Sequence, residues 1–186
     1  MNSDESSDYP EDWEKSCQFD GKVSVHFGYP SCGWILLSLL STAYSRSLII
    51  HLSEAYDPFE KMVKWLHQIA EDQLPAMFCI DEEGVQKYLT VRPYTGQFKN
   101  YSDIEFRIEG PSWNDEEGKY ECACFFITRC QRQQLLGEFT KRLERWLAED
   151  YTHGDWRYRE ADAGIEDPST DLRNLDLAAL KQKIWG

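Results

Sequence analysis

No apolar run in this 186-residue chain approaches the roughly 20 residues that a membrane-spanning helix needs. The N-terminus carries acids where a secretory leader carries a basic and then a hydrophobic region. Both absences point to a cytoplasmic protein that does not use a membrane. Bases are scarce as well, with 20 Lys and Arg against 33 Asp and Glu. That balance argues against nucleic acid and anionic lipid as ligands, because both favour a cationic surface. There is no glycine-rich phosphate loop and no basic aromatic stripe, so no nucleotide cofactor is expected. The six cysteines form no Cys-x-x-Cys knuckle. Cys122-x-Cys124 places both thiols on one strand face, where they do not imitate a zinc pair, so no metal is expected. With no small-scaffold spacing, the thiols read as reduced and buried.

The charge that is present is uneven. Residues 1–14 carry six acids and no base, and residues 15–148 carry eighteen acids against fifteen bases. Residues 149–171 carry eight acids against Arg157 and Arg159, whereas residues 172–186 set Asp176 against Arg173, Lys181 and Lys183. The net charge of -13 is therefore held mostly by two flanking segments around a nearly neutral middle. This divides the chain into an acidic, flexible N-terminus over 1–16, a single α+β domain over 17–150, and an acidic aromatic arm over 151–186 that ends in a short helix.

The stretch from Leu48 to Val91 organises that domain. Leu48, Ile50 and Leu52 alternate on one strand face. Asp57 is suited to cap a helix with Pro58 in its first position. Phe59, Met62, Val63, Leu66 and Ile69 then recur at spacings of three and four, which predicts an amphipathic helix over 58–72 with Lys61, Lys64 and Gln68 in solvent. Met77 to Ile80 and Val85 to Val91 read as two arms of a hairpin turned by Asp81-Glu82-Glu83-Gly84. The motifs Ser53-Glu54-x-Tyr56-Asp57-Pro58-Phe59, Trp65-Leu66, Ile69, Leu74-Pro75-Ala76 and Ile80-Asp81-Glu82-Glu83-Gly84 resemble a pattern in uncharacterised small bacterial proteins. The resemblance implies no activity and no catalytic residue.

Elsewhere, Val23, Val25 and Phe27 alternate as a strand, and Trp34 to Leu40 reads as a buried one. Ile104, Phe106 and Ile108 alternate with Glu105, Arg107 and Glu109, which predicts a strand with one face in water. Gly110 to Gly118 reads as a loop that repeats Asp-Glu-Glu-Gly at 115–118, followed by a strand from Tyr120 to Thr128. Leu136, Phe139, Leu143, Trp146 and Leu147 predict a second amphipathic helix over 131–149. Leu172, Leu175, Leu180 and Ile184 mark the terminal one. Runs of strands broken by two helices predict an α+β fold: a mostly antiparallel sheet of five to seven strands with both helices on one face.

Candidate chemistry is sparse. Nucleophilic catalysis needs Cys17, Cys32 or Cys130 beside His26, His51, His67 or His153, yet none of the local sequences resembles a nucleophile elbow. The carboxylates Glu54, Asp57, Asp81, Glu82 and Glu83 are too abundant to single out an acid–base pair. The two Asp-Glu-Glu-Gly segments lack the ligand spacing of a calcium loop and read as turns kept soluble by acids. The remaining signal is the arm, in which Tyr151, Trp156 and Tyr158 stand among Asp155, Glu160, Asp162, Glu166 and Asp167. Aromatic anchors among carboxylates suit a basic protein partner. The reading is a non-enzymatic protein-binding module, an acidic inhibitor or immunity protein against a basic toxin such as a nuclease. Its alternatives are a hydrolase-like enzyme with a Cys/His or carboxylate site, and a homodimer joined through the C-terminal arm.

Overall fold

The computed structural model describes residues 21–42, 46–96, 103–149, 175 and 177–186, without the side chains of Arg46 and Glu149. Strands β1 (Val23–Phe27), β2 (Trp34–Ser41) and β3 (Arg46–Ser53) form one antiparallel sheet. Helix α1 (Phe59–Ala70) follows. Strands β4 (Ala76–Asp81), β5 (Gln86–Pro93), β6 (Ile104–Asn114) and β7 (Lys119–Cys130) form a second antiparallel sheet in sequence order. Helices α2 (Arg132–Glu149) and α3 (Leu177–Trp185) complete the described chain. No described helix is long and apolar enough to cross a membrane.

The fold is α+β with seven strands, but they make two sheets where one was expected. The break lies between β3 and β4, which α1 connects. The two strands touch without pairing, and the carboxylate of Glu82 accepts the outward His51 N–H at 2.7 Å. A side chain thus fills a position that a neighbouring strand would otherwise occupy. Nor do both helices cover one face, because α2 runs along the free edge of β1. The Gln134 amide accepts from Val23 N at 3.1 Å and donates to Val23 O at 2.8 Å, and Glu138 accepts from Val25 N at 3.2 Å. These bonds satisfy an edge that would otherwise be open to another chain.

The alternation along the first three strands buries Val23, Val25 and Phe27, then Ile35, Leu37 and Leu39, then Ile50 and Leu52, with Leu48 only partly covered. Helix α1 turns its predicted stripe inward together with Trp65. Asp57 Oδ1 accepts from Phe59 N at 2.9 Å, but the N-cap is Pro58 and the helix begins at Phe59, one residue later than expected. Trp65 meets Phe78, Phe106 and Phe139, while Phe59 stacks on Trp146 with ring centroids 5.2 Å apart. Both indoles keep a polar partner inside the core: Trp65 Nε1 donates to Ala76 O and Trp146 Nε1 to Gly28 O. Helix α3 buries Leu180 and Ile184 against the same core and touches α1 and α2. Lys183 on α3 reaches Glu71 and, by hydrogen bond and charge, holds its carboxyl below the usual carboxylate range.

Two further expectations are corrected by the four-stranded sheet. Residues 110–114 are strand, not loop, since Gly110 to Asn114 pair with Ala123 to Lys119. Gly110 fits because a Cβ there would meet Gln86 O at 2.4 Å. Pro111 fits because β5 has stopped pairing by then, its last partner on that side being Glu109. The charged face of β6 is also not open to water. Glu105 is 5% exposed and receives Arg92 at 2.6 Å, Arg107 at 3.1 Å and Arg129 at 3.5 Å. A guanidinium ladder from both neighbouring strands covers it.

Candidate functional site

The two copies of Asp-Glu-Glu-Gly fold differently, and each marks a surface. In the first, Asp81 still belongs to β4 and pairs with Gln86, so the turn itself is Glu82 to Val85, closed by Glu82 N to Val85 O at 2.9 Å. Glu83 and Gly84 sit at φ 58° and 104°, the paired positive angles of a two-residue hairpin turn. This turn docks on β3. Glu82 holds the His51 N–H, lies 3.5 Å from His51 Nδ1 and 3.2 Å from Lys87 Nζ, and Glu83 accepts from Ser53 Oγ at 2.9 Å. It is therefore a structural clasp between the sheets, and its acids serve contacts as well as solubility.

Beside the clasp, Trp34, His51, Glu82 and Val85 line an open cleft of about 490 Å³. An adjoining depression is lined by Cys32, Ser53, Glu54 and Glu83 among others. A carboxylate near an imidazole nitrogen can orient the ring as a base. Among the described residues, however, no hydroxyl or thiol hydrogen-bonds to His51. Cys32 Sγ accepts from Ser31 Oγ, Cys130 is buried in the core, and His67 faces Lys183 Nζ at 3.3 Å. His26 is exposed on β1, and Cys17 and His153 lie outside the described residues. Among the described residues, the structure thus brings His51 to a carboxylate and hydrogen-bonds no histidine to a cysteine.

The cysteines correct another expectation, since among the described ones only Cys130 is buried. Cys79 is partly covered, and that burial raises its thiol pKa. Cys32, Cys122 and Cys124 are exposed. Cys122 lies where β6 and β7 outrun β5, and Cys124 pairs with Glu109 on the outward face, opposite to the buried Ile108 and Phe126.

The second Asp-Glu-Glu-Gly caps that overhang. Asn114 pairs with Lys119, which leaves all four residues in the turn, with Gly118 N donating to Asn114 O and only Gly118 at positive φ. Asn114 Oδ1 accepts from Glu116 N and Glu117 N. Nothing else in the described chain clasps this turn. Directly below it, Trp113 and Tyr120 face each other across the ribbon, T-shaped at 5.1 Å and 52% and 71% exposed. In sequence Asp115, Glu116, Glu117 and Glu121 flank them with the one base Lys119, which pairs with Glu117 at 2.5 Å and Glu121 at 3.4 Å on the face opposite the aromatic pair. Reading 110–118 as loop hid this pair. Had the repeated tetrapeptide been read as a hairpin, Trp113 would have fallen opposite Tyr120.

The arm residues Tyr151, Asp155, Trp156, Tyr158, Glu160, Asp162, Glu166 and Asp167 lie outside the described residues, as does the N-terminus over 1–16. Among the described residues, no group of three or more His, Cys, Asp or Glu is placed to hold a metal ion. No protein-family model, curated protein or solved structure matches the chain.

Proposed function

We propose that this chain is a non-enzymatic protein-binding module that docks a basic partner, in the manner of an acidic inhibitor or immunity protein facing a basic toxin such as a nuclease. The observation that carries the reading is the Trp113–Tyr120 pair, held in solvent on a two-stranded ribbon next to the acidic turn Asp115-Glu116-Glu117-Gly118. Exposed large aromatics are what interface anchors are made of, because they bury much area with few rotatable bonds. Carboxylates beside them speed encounter with a cationic surface and repel acidic competitors. The net charge of -13 extends that steering field, and Tyr151, Trp156 and Tyr158 among their acids repeat the same composition. The inhibitor or immunity role itself is an analogy of class.

The test is capture from native lysate on the wild-type chain and on a Trp113→Ala/Tyr120→Ala variant in parallel. The expected result is one basic protein in stoichiometric amount on the wild type and its loss from the variant, with the complex re-forming from purified components. Replacing Asp155, Glu160, Asp162, Glu166 and Asp167 by amides should then slow association mainly at low salt, since exposed charges act over a Debye length of about 8 to 10 Å. The same set of captured proteins on both chains would overturn the reading.

A further inference from the structure

Within β1, β2 and β3 the outward positions of the three-stranded sheet hold no Asp, Glu, Lys or Arg, Lys22 standing one residue before β1 and paired with Thr42. The outward positions on Ser24–His26, Leu36–Leu40 and Ser47–His51 hold Leu36, Leu40 and Ile49, and otherwise only three serines and two histidines. Leu36 is 42% and Ile49 53% exposed. In a chain with 28% charged residues, a three-stranded face without Asp, Glu, Lys or Arg is a depletion of the kind found at the centre of interfaces.

The edge of the same sheet is also open. Its hydrogen-bond phase is set by two bonds. Glu54 N donates to Gly33 O, so the even-numbered residues of β3 face β2, and His51 N points the other way to Glu82. The outward backbone groups are therefore those of Ser47, Ile49 and His51. The His51 N–H is taken by Glu82. The outward N–H and C=O of Ser47 and Ile49 have no hydrogen-bonding partner among the described residues. On the opposite edge, the N–H and C=O of Val23 and the N–H of Val25 are engaged by α2.

We infer that the β3 edge pairs with a second copy of this chain, antiparallel, about a two-fold axis through Leu48. That register sets Ser47 against the second copy's Ile49 and Ile49 against its Ser47. It makes four backbone hydrogen bonds and leaves the His51–Glu82 clasp intact. The two exposed Ile49 side chains become diagonal neighbours, within reach of each other across an antiparallel pair. Two three-stranded sheets become one of six. The occupant is a copy and not the basic partner for an electrostatic reason. A cationic surface finds no carboxylate on this face to pair with, whereas two chains of the same strong negative charge approach at least cost where neither presents a charge.

Sedimentation velocity over a range of concentrations is the test. The wild type is expected to show a dimer whose fraction rises with concentration. Ile49→Lys, a charge on an edge strand, should remain monomeric at every concentration where the wild type dimerises, with the melting temperature that the wild type shows when diluted to monomer. Register is read covalently: a mixture of Ser47→Cys and Ile49→Cys chains should form the 47–49 interchain disulfide, located by mass spectrometry, because hydrogen-bonded antiparallel partners sit about 5.5 Å apart at Cα. A wild type that stays monomeric overturns the inference, and so does a dimer that survives Ile49→Lys. A monomer that Ile49→Lys destabilises also overturns it, since the edge would then be covered by the chain's own residues.

Discussion

Both sheets of this protein turn one face to the core and one outward, yet the two outward faces are built to opposite rules. On the four-stranded sheet, Arg92, Arg107 and Arg129 converge on the buried carboxylate of Glu105, so charge closes the surface from strand to strand. On the three-stranded sheet the outward positions are aliphatic, serine or histidine, and Leu36, Leu40 and Ile49 stand in water without cross-strand cover. The lesson is that period-two alternation assigns a residue to a face but does not say whether that face is finished. The Glu105 face is complete in one chain. The Ile49 face still offers surface to a partner.

The comparison is broken most severely at Glu105. Replacing it with Ala leaves three guanidiniums without their shared anion, and removal of one member of a buried ionic group costs about 3 to 5 kcal/mol. Because Arg92 is half exposed, the low end, about 3 kcal/mol, is expected by urea denaturation. Leu36→Ser on the other sheet should change stability by less than about 0.5 kcal/mol in the same assay, as a surface substitution does. Equal costs would mean that the two faces are not different in kind.

A smaller effect is expected at the α3 contact. Lys183 lowers the pKa of Glu71 in the folded chain. A depressed carboxylate contributes stability above its ordinary pKa of about 4.3 and loses it as pH falls through the lower folded value. Hydrogen exchange should therefore show α3 loosening only below about pH 4, and Glu71→Gln should lose that acid-dependent step. An acid response unchanged in Glu71→Gln would place the linkage elsewhere.

Much of the fold was legible because local periodicity is local physics. The stripe from Phe59 to Ile69 and the alternation of Val23, Val25 and Phe27 each specify an element and its buried side without reference to anything distant. What escaped was everything that joins residues far apart in sequence. No pattern announces that Glu82 closes on His51, that Gln134 imitates a strand along Val23, or that three arginines bury Glu105. Gly110 and Pro111 were misleading for a related reason. They punctuate a chain in general, but at the end of β5 a missing side chain and a missing donor are what the strand requires. The site was less legible still. The aromatic and acidic composition of residues 151–167 was visible, and those residues lie outside the described ones, whereas the Trp113–Tyr120 pair was hidden because its ribbon read as loop.

The central claim, that the aromatic ribbon is a docking anchor, is tested most directly by the dissociation rate of the captured complex with Trp113→Ala. A buried aromatic anchor contributes at least about 2 kcal/mol, so dissociation should quicken roughly thirtyfold or more, while the association rate stays within a few-fold. A dissociation rate matching that of the wild type, with the variant still folded, would contradict the account and return the Trp113–Tyr120 pair to an ordinary cross-strand contact.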